Sequence, residues 1–396
     1  MSGLRIKLVS TMAAVVAFGV IAVPAFAASQ RPVCPGPVAG DSAKCHARVI
    51  TDAKGAPQVT PAPAGYGPAQ FRGAYGLPTS APAGQTIAIV DAYDDPSIAS
   101  DLNAYSSQFG LPLCNSANPC FKKVNQSGSA SGPFPKSNSG WALEIALDVE
   151  VVHGICPNCK ILLVEASSNS FSNLAAGVKT AAKLGATEIS NSYGGSEFSS
   201  ELSETYAAPY NQPGVAVTVS SGDSGYGSFG FPAALSSVIT VGGTTLTLGE
   251  GNTYGGETVW SGAGSGCSLY AAAPSWQGFL AACGGKRGTA DVAADANPST
   301  GAAVYDSVKY QGRSGWFQVG GTSLSSPLIA GVYALAGGLP SGTSAASGLY
   351  GHRGDGSGLH DVTSGSNGSC GTLMCQGAAG YDGPTGVGTP LGIGAF

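Results

Sequence analysis

The sequence predicts an α/β fold whose central sheet is mostly parallel and carries helices on both faces. Short apolar runs alternate with helical patterns across much of the chain, turns rich in Gly, Ser and Asp follow several runs, and 43% apolar residues in 396 can fill a large core.

Arg5 and Lys7 precede an apolar run over residues 8–23, followed by Pro24 and Ala25-Phe26-Ala27, a small-x-small cleavage signal. Residues 1–27 are therefore read as a secretory signal peptide; a retained anchor is disfavoured because the run is short and broken. Residues 28–68, rich in Pro, Gly and Ala with little periodicity, read as a short leader or propeptide-like linker. Residues 69–396 form the main domain, with organised structure beginning near Phe71. Within it the pattern predicts a strand over 86–91, helices over 96–109 and 141–153, a strand over 160–165 and a helix over 170–184. A strand over 188–192, a helix over 201–210 and a strand over 215–220 follow. No internal repeat is present, and after residue 339 the chain turns Gly/Ser-rich. Sites in such folds gather at the carboxyl ends of strands, which brings together the loops 191–195 and 220–225 and the turn holding Ser323.

Charged residues make up only 10% of the chain, net charge is −5, and no basic cluster exists, which excludes nucleic acid and anionic membrane as partners. A monomer is expected. Few ionisable groups also suit acid, where a chain with few carboxylates gathers less uncompensated positive charge. Ten cysteines behind a secretion signal favour disulfides, and proximity suggests Cys34–Cys45, Cys114–Cys120, Cys156–Cys159, Cys267–Cys283 and Cys370–Cys375. Cys156-Pro157-Asn158-Cys159 follows a helix instead of opening one, so it lacks thiolate activation by a helix N-terminus and reads as a clip. Asn125-Gln126-Ser127 and Asn367-Gly368-Ser369 are glycosylation acceptors where the host glycosylates.

Gly320-Gly321-Thr322-Ser323-Leu324-Ser325-Ser326-Pro327 places a serine on a glycine turn opening an apolar helix. Its hydroxyl needs a base. Of four histidines, His46, His352 and His360 lie in the N-terminal segment or the tail, and His153 stands at no matching motif. Glu144 and Asp148, one helical turn apart, are the alternative base. Such a pair reads either as a solvated helix face or as a buried acid pair; Ile145, Leu147, Val149, Val151 and Val152 around it favour burial, where one carboxyl stays protonated. Asp223, on a Gly/Ser turn after a strand, is either a turn-former or, when protonated, a hydrogen-bond donor to an oxyanion. Asp91, Asp94 and Asp95 read as turn and cap residues.

These motifs, Glu144-x-x-x-Asp148-Val149-Glu150-Val151-Val152, then Ser220-Ser221-Gly222-Asp223-Ser224-Gly225, then Gly320-Gly321-Thr322-Ser323 with Pro327, resemble in content and order those of the sedolisins, serine-carboxyl peptidases with a subtilisin-like fold. The resemblance runs from about Phe71 to the C-terminus. It implies peptide-bond hydrolysis with an acidic optimum, Ser323 as nucleophile, Glu144 as base and acid, Asp148 as its partner and Asp223 as oxyanion donor. It also implies that residues 191–195 line the primary specificity pocket.

In the tail, His360-Asp361-Val362 and Ala378-Ala379-Gly380-Tyr381-Asp382-Gly383 are either plain turns or a set of oxygen ligands for a hard cation. They resemble the sedolisin calcium loop, which implies one structural Ca²⁺ held by the side chains of Asp361 and Asp382 and the carbonyls of Val362, Ala378 and Gly380. The full expectation is a secreted endopeptidase acting on polypeptides. A catalytically silent binding module of the same fold is the alternative; an esterase is disfavoured because no Gly-x-Ser-x-Gly elbow surrounds Ser323.

Overall fold

The computed structural model describes residues 1, 3, 29–36, 40–340, 342–343 and 345–396. The signal peptide expected over 1–27 lies outside the described residues, apart from Met1 and Gly3.

Three short strands open the fold: β1 (Gln30–Pro32), β2 (Lys44–Cys45) and β3 (Arg48–Ile50). Then come α1 (Pro68–Ala74), β4 (Thr86–Ala92), α2 (Ile98–Phe109), β5 (Phe121–Asn125) and α3 (Ser139–Ile155). β6 (Lys160–Ala166), α4 (Phe171–Lys183), β7 (Glu188–Asn191), β8 (Tyr193–Ser196), β9 (Ala216–Ser220) and β10 (Gly230–Phe231) follow. The second half supplies β11 (Ile239–Leu248), β12 (Tyr254–Val259), β13 (Cys267–Ala272), β14 (Lys286–Gly288) and β15 (Val292–Asp295). β16 (Ala302–Tyr310), β17 (Arg313–Gly320), α5 (Thr322–Ala336), β18 (Leu359–His360) and β19 (Thr389–Pro390) complete it.

The main sheet runs β12-β11-β9-β7-β4-β6-β5, with β15 also paired to β11, and every pairing is parallel except β11 with β12. The strands read as near-continuous apolar runs because helices cover them: in β4 every residue after Thr86 is buried. α3 and α5 are buried along almost their whole length, which is why neither shows a one-sided apolar stripe in sequence. Asn138 starts α3, its side-chain oxygen accepting the N–H groups of Gly140 (3.0 Å) and Trp141 (3.2 Å).

Most elements fall within a few residues of their predicted bounds. The helix expected over 201–210 does not form. That stretch is a series of turns ending in the 3₁₀ turn Ala208–Tyr210. Pro209 has no N–H to return to the carbonyl of Thr205, and the segment is too short to recover the loss.

All five expected disulfides are present, Cys156–Cys159 among them. Asn367 is buried, its side-chain amide donating to Ala263 O (2.6 Å) and Ser265 Oγ (2.7 Å), so it cannot serve as the glycosylation acceptor its motif suggested.

Within residues 28–68, read as a short leader or propeptide-like linker, described residues pair with the body of the fold. β1 pairs with β3, β3 with β17, and β2 with β8, all antiparallel. Val33, Ala43, Ala47 and Val49 are each at most 1% exposed. The segment is short in periodicity because its strands are two or three residues long, and each borrows its partner from the body of the fold. No helix among the described residues is long and apolar enough to cross a membrane.

Candidate active site

Ser323 enters at the start of α5. Gly321 before it has φ +99, and a Cβ there would come within 2.1 Å of the His46 carbonyl oxygen and 2.5 Å of Asp223 Oδ2, so only glycine fits. Pro327, four residues on, has no N–H for the Ser323 carbonyl. The Ser192 hydroxyl donates to that carbonyl instead (3.3 Å), and the Ser323 hydroxyl donates to the Ser192 carbonyl (3.2 Å). The Ser323 N–H, one of the amides that the first turn of a helix leaves without an internal partner, donates to the carbonyl of His46 (3.1 Å).

α3 carries the acid pair to the same place. Glu144 and Asp148 are fully buried, and none of their carboxyl oxygens has a hydrogen-bond partner in ordinary geometry among the described residues. Burial, followed by the fields of Asp148 and Asp91, pushes the Glu144 carboxyl well above its usual range; the nearby Ser323 hydroxyl works in the opposite direction. Asp148 is also raised, by burial and then by Asp91, against the neighbouring Ser192 hydroxyl. The reading of this pair as a solvated helix face is thereby excluded.

Asp91 is the residue that the pattern misjudged. Asp94 and Asp95 do hold a turn, Asp94 pairing with Lys123 (2.5 Å) and Asp95 accepting the Ser97 N–H (2.8 Å). Asp91 instead lies inside β4, fully buried with both oxygens unpartnered, and burial lifts it to about 8. The available signal was its place at the end of an apolar strand, where a carboxylate has no reason to be unless another buried group shares its proton.

Asp223 hangs from the loop after β9. One oxygen, Oδ1, accepts the N–H (2.8 Å) and hydroxyl (3.0 Å) of Thr322, which ties the loop to the serine turn; Oδ2 is buried and unpartnered. Burial raises this carboxyl to about 7 against the hydrogen bonds of Thr322 and the more distant charges of Arg48 and Lys44. Below that pH it is a neutral acid with one O–H to donate, beside the carbonyl that Ser323 N–H already holds.

A cleft of about 530 Å³ opens beside these groups, lined in part by Gly194, Gly195 and Ser220 to Asp223. Of residues 191–195, Gly194 and Gly195 reach the cleft. His46 lines it too, although its sequence position gave no such signal. It is no base: burial lowers its imidazole to about 3, and Nδ1 is paired with Ser220 Oγ (2.8 Å). His153, also buried, meets the Pro112 carbonyl through Nε2 (2.8 Å).

Comparison with known proteins agrees with this geometry. The subtilase family model matches residues 127–347, more than half of the chain. Sedolisin of Pseudomonas sp. (strain 101) is 29% identical over 84% of this chain and 60% of its own length. Xanthomonalisin of Xanthomonas sp. (strain T-22) is 31% identical over 86% of this chain and 46% of its own length. Kumamolisin of Bacillus sp. (strain MN-32) is 30% identical, over 84% and 63%. The chain thus spans between about half and two thirds of the length of these relatives. The solved Pseudomonas sedolisin, a serine-carboxyl proteinase complexed with two molecules of pseudo-iodotyrostatin, superposes with a TM-score of 0.70 at 28% identity, covering 83% of this chain and 96% of that one. With a subtilisin-like parallel sheet and a family match over more than half its length, this chain belongs to the subtilase family.

Proposed function

We propose that the chain is a secreted endopeptidase that hydrolyses peptide bonds at acidic pH through an acyl-enzyme on Ser323. One observation carries this reading: the Ser323 N–H grips a peptide carbonyl oxygen while the unpartnered oxygen of Asp223 borders the same spot. In the reaction Glu144 takes the proton of Ser323 as Oγ attacks the carbonyl carbon, and returns it to the departing amine. Asp148 and Asp91 share the protons of the buried cluster and keep Glu144 able to accept one. Asp223, neutral, donates to the oxyanion together with the Ser323 amide. Five disulfides fit an oxidising, extracellular setting.

The test is hydrolysis of denatured casein between about pH 3 and 7. Peptide cleavage on the acid side supports the reading. Flat, absent hydrolysis favours the silent binding module.

Asp223→Asn separates the donor role from a turn role. Asparagine donates at every pH, whereas the aspartic acid loses its proton as pH rises through about 7. The variant is expected to keep activity at low pH and to extend the upper limb of the kcat profile upward; Asp223→Ala should cost about 10²- to 10³-fold. An upper limb unmoved in the Asn variant removes Asp223 from the chemistry.

The tail residues suit Ca²⁺. Asp361 and Asp382 approach closely enough for Asp361 to help burial raise Asp382 to about 7, and neither has a Lys or Arg partner among the described residues. No described group donates to the carbonyls of Val362, Ala378 or Gly380. Asp361 Oδ2 accepts the Gly380 N–H (2.8 Å), which ties the two segments together, and Asp382 Oδ2 accepts that of Ala378 (3.1 Å) within its own segment. When bound, the ion supplies charge neutralisation to this loop. Chelation with EDTA at pH 6 is expected to lower the unfolding temperature by several degrees, since an ion at a hundred times its Kd stabilises by about 2.7 kcal/mol. Added Ca²⁺ should restore it, and no change in either direction refutes the site.

A further inference from the structure

Away from the cleft, the loop after β4, the first turn of α2 and the middle of β16 bring three carboxylates together. Asp95, Asp101 and Asp306 are all buried, and one oxygen of each lies within 4.8 Å of the other two. None forms an ion pair through its side chain among the described residues. Each is aimed by the backbone. Asp95 Oδ1 accepts the Ser97 N–H (2.8 Å), Asp101 Oδ2 accepts the N–H and the hydroxyl of Ser307 (both 2.9 Å), and Asp306 Oδ1 accepts the Val308 N–H (2.7 Å). The second oxygens of Asp95 and Asp306 are buried with no hydrogen-bond partner among the described residues, and Asp101 Oδ1 has a long contact from the Ser100 hydroxyl (3.4 Å).

A fourth carboxyl reaches the same place from α3. Glu150 is fully buried; its Oε2 accepts the N–H of Tyr305 (2.9 Å), next to Asp306, and its Oε1 is unpartnered among the described residues. Asp101, Asp306 and Asp95 all act on the Glu150 carboxyl through their charge, so it faces the space that they enclose. Lys123, the cation that acts on Asp95, does not fill that space with its ammonium: it donates to Asp94 Oδ1 (2.5 Å) and to the Asp95 carbonyl (2.9 Å). Four acids from four elements, each fixed through one oxygen by a main-chain N–H with free oxygens turned to a common centre, have the build of a ligand set held by its outer hydrogen bonds.

We infer that Asp95, Asp101, Asp306 and Glu150 form a second Ca²⁺ site, separate from the tail loop. Ca²⁺ takes oxygen ligands at about 2.3–2.6 Å, a shell about 5 Å across, which suits carboxylate oxygens within 4.8 Å of one another. With no His or Cys in the set, softer metals such as Zn²⁺ lack the donors that they prefer. The ion neutralises acids that the core would otherwise hold apart only by protonating them. It also joins the loop after β4 and the start of α2 to β16 and α3. Because α3 carries Glu144 and Asp148 as well, the ion holds the helix of the catalytic acid pair one turn and more beyond that pair. The inference does not depend on the peptidase reading.

The test uses the full chain with Ser323→Ala, which prevents self-digestion, and Asp361→Asn, which takes a ligand from the exposed tail loop. Ca²⁺ binding is measured by equilibrium dialysis at neutral pH, and thermal unfolding is recorded in EDTA and in Ca²⁺. This chain is expected to bind Ca²⁺ with a Kd no weaker than about 1 mM, the limit for extracellular sites, and to unfold several degrees higher with the ion than in EDTA. Adding Asp306→Asn should weaken the binding at least about tenfold and remove most of the Ca²⁺-dependent shift. Should that variant fail to fold, Asp101→Asn, at the start of α2, gives the same comparison. A chain with Asp361→Asn that binds no Ca²⁺ overturns the inference and leaves the four acids as a proton-sharing cluster. Equal affinities and equal shifts with and without the cluster substitution overturn it too, since the ion then sits elsewhere.

Discussion

Ser323→Ala is expected to lower kcat/KM by about 10⁶-fold, and adding Glu144→Gln to it to cost almost nothing more, because nucleophile and base act as one unit. Glu144→Gln alone should fall by about 10²- to 10⁴-fold, the usual range for general-base loss. The glutamine variant also offers a reading that a merely structural role would not give. Glu144 is buried beside Asp148 and Asp91, and its ionisation is costly. A neutral amide removes that cost, so the variant should unfold at a higher temperature than the unaltered chain above pH 7 while being nearly inactive. Calorimetry and steady-state kinetics on the same samples check both halves. A Glu144→Gln chain that keeps more than about a tenth of the activity would sink the assignment of Glu144 as base.

Thermal stability should be greatest in acid and fall steeply from about pH 5 towards neutrality. Burial raises Asp223 to about 7, and Asp91, Glu188 and Glu201 to about 8. Each has a folded pKa above its unfolded value, so over this range the folded state binds more protons than the unfolded one. Stability from these groups is complete below about pH 4 and is lost progressively as pH rises to about 9. One pKa unit is about 1.4 kcal/mol, so even part of this set can cancel a net stability of about 5–15 kcal/mol. Unfolding temperature measured from pH 4 to 9 should fall throughout, most steeply between about pH 5 and 7, where these groups are protonated only in the folded state. A maximum at pH 8 would contradict it.

Much of the site was legible because catalytic serine chemistry leaves local marks. The turn before Ser323 requires glycine, the acid pair sits in a helix too apolar to be solvated, and Asp223 follows a buried strand directly. The cysteine pairs were legible for a similar reason: each closes a loop of at most 16 residues, so proximity in sequence was a fair guide to proximity in space. Asp91 was visible as a residue and misread in role. Its neighbours along the chain, Asp94 and Asp95, are turn formers, whereas its true neighbours, Glu144 and Asp148, are more than fifty residues away.

The sequence by itself determined the alternation of strands and helices, the serine turn, the buried carboxylate pair proposed to serve it and the disulfide frame, since each depends on residues close together along the chain. Only the tertiary structure decided where residues 30–50 lie. Their strands are too short to show a period, and their partners stand at Ser192–Gly194, Asn169–Phe171 and Val319–Gly320. Backbone pairing with a distant edge depends on main-chain groups that every residue carries, so no side-chain pattern announces it.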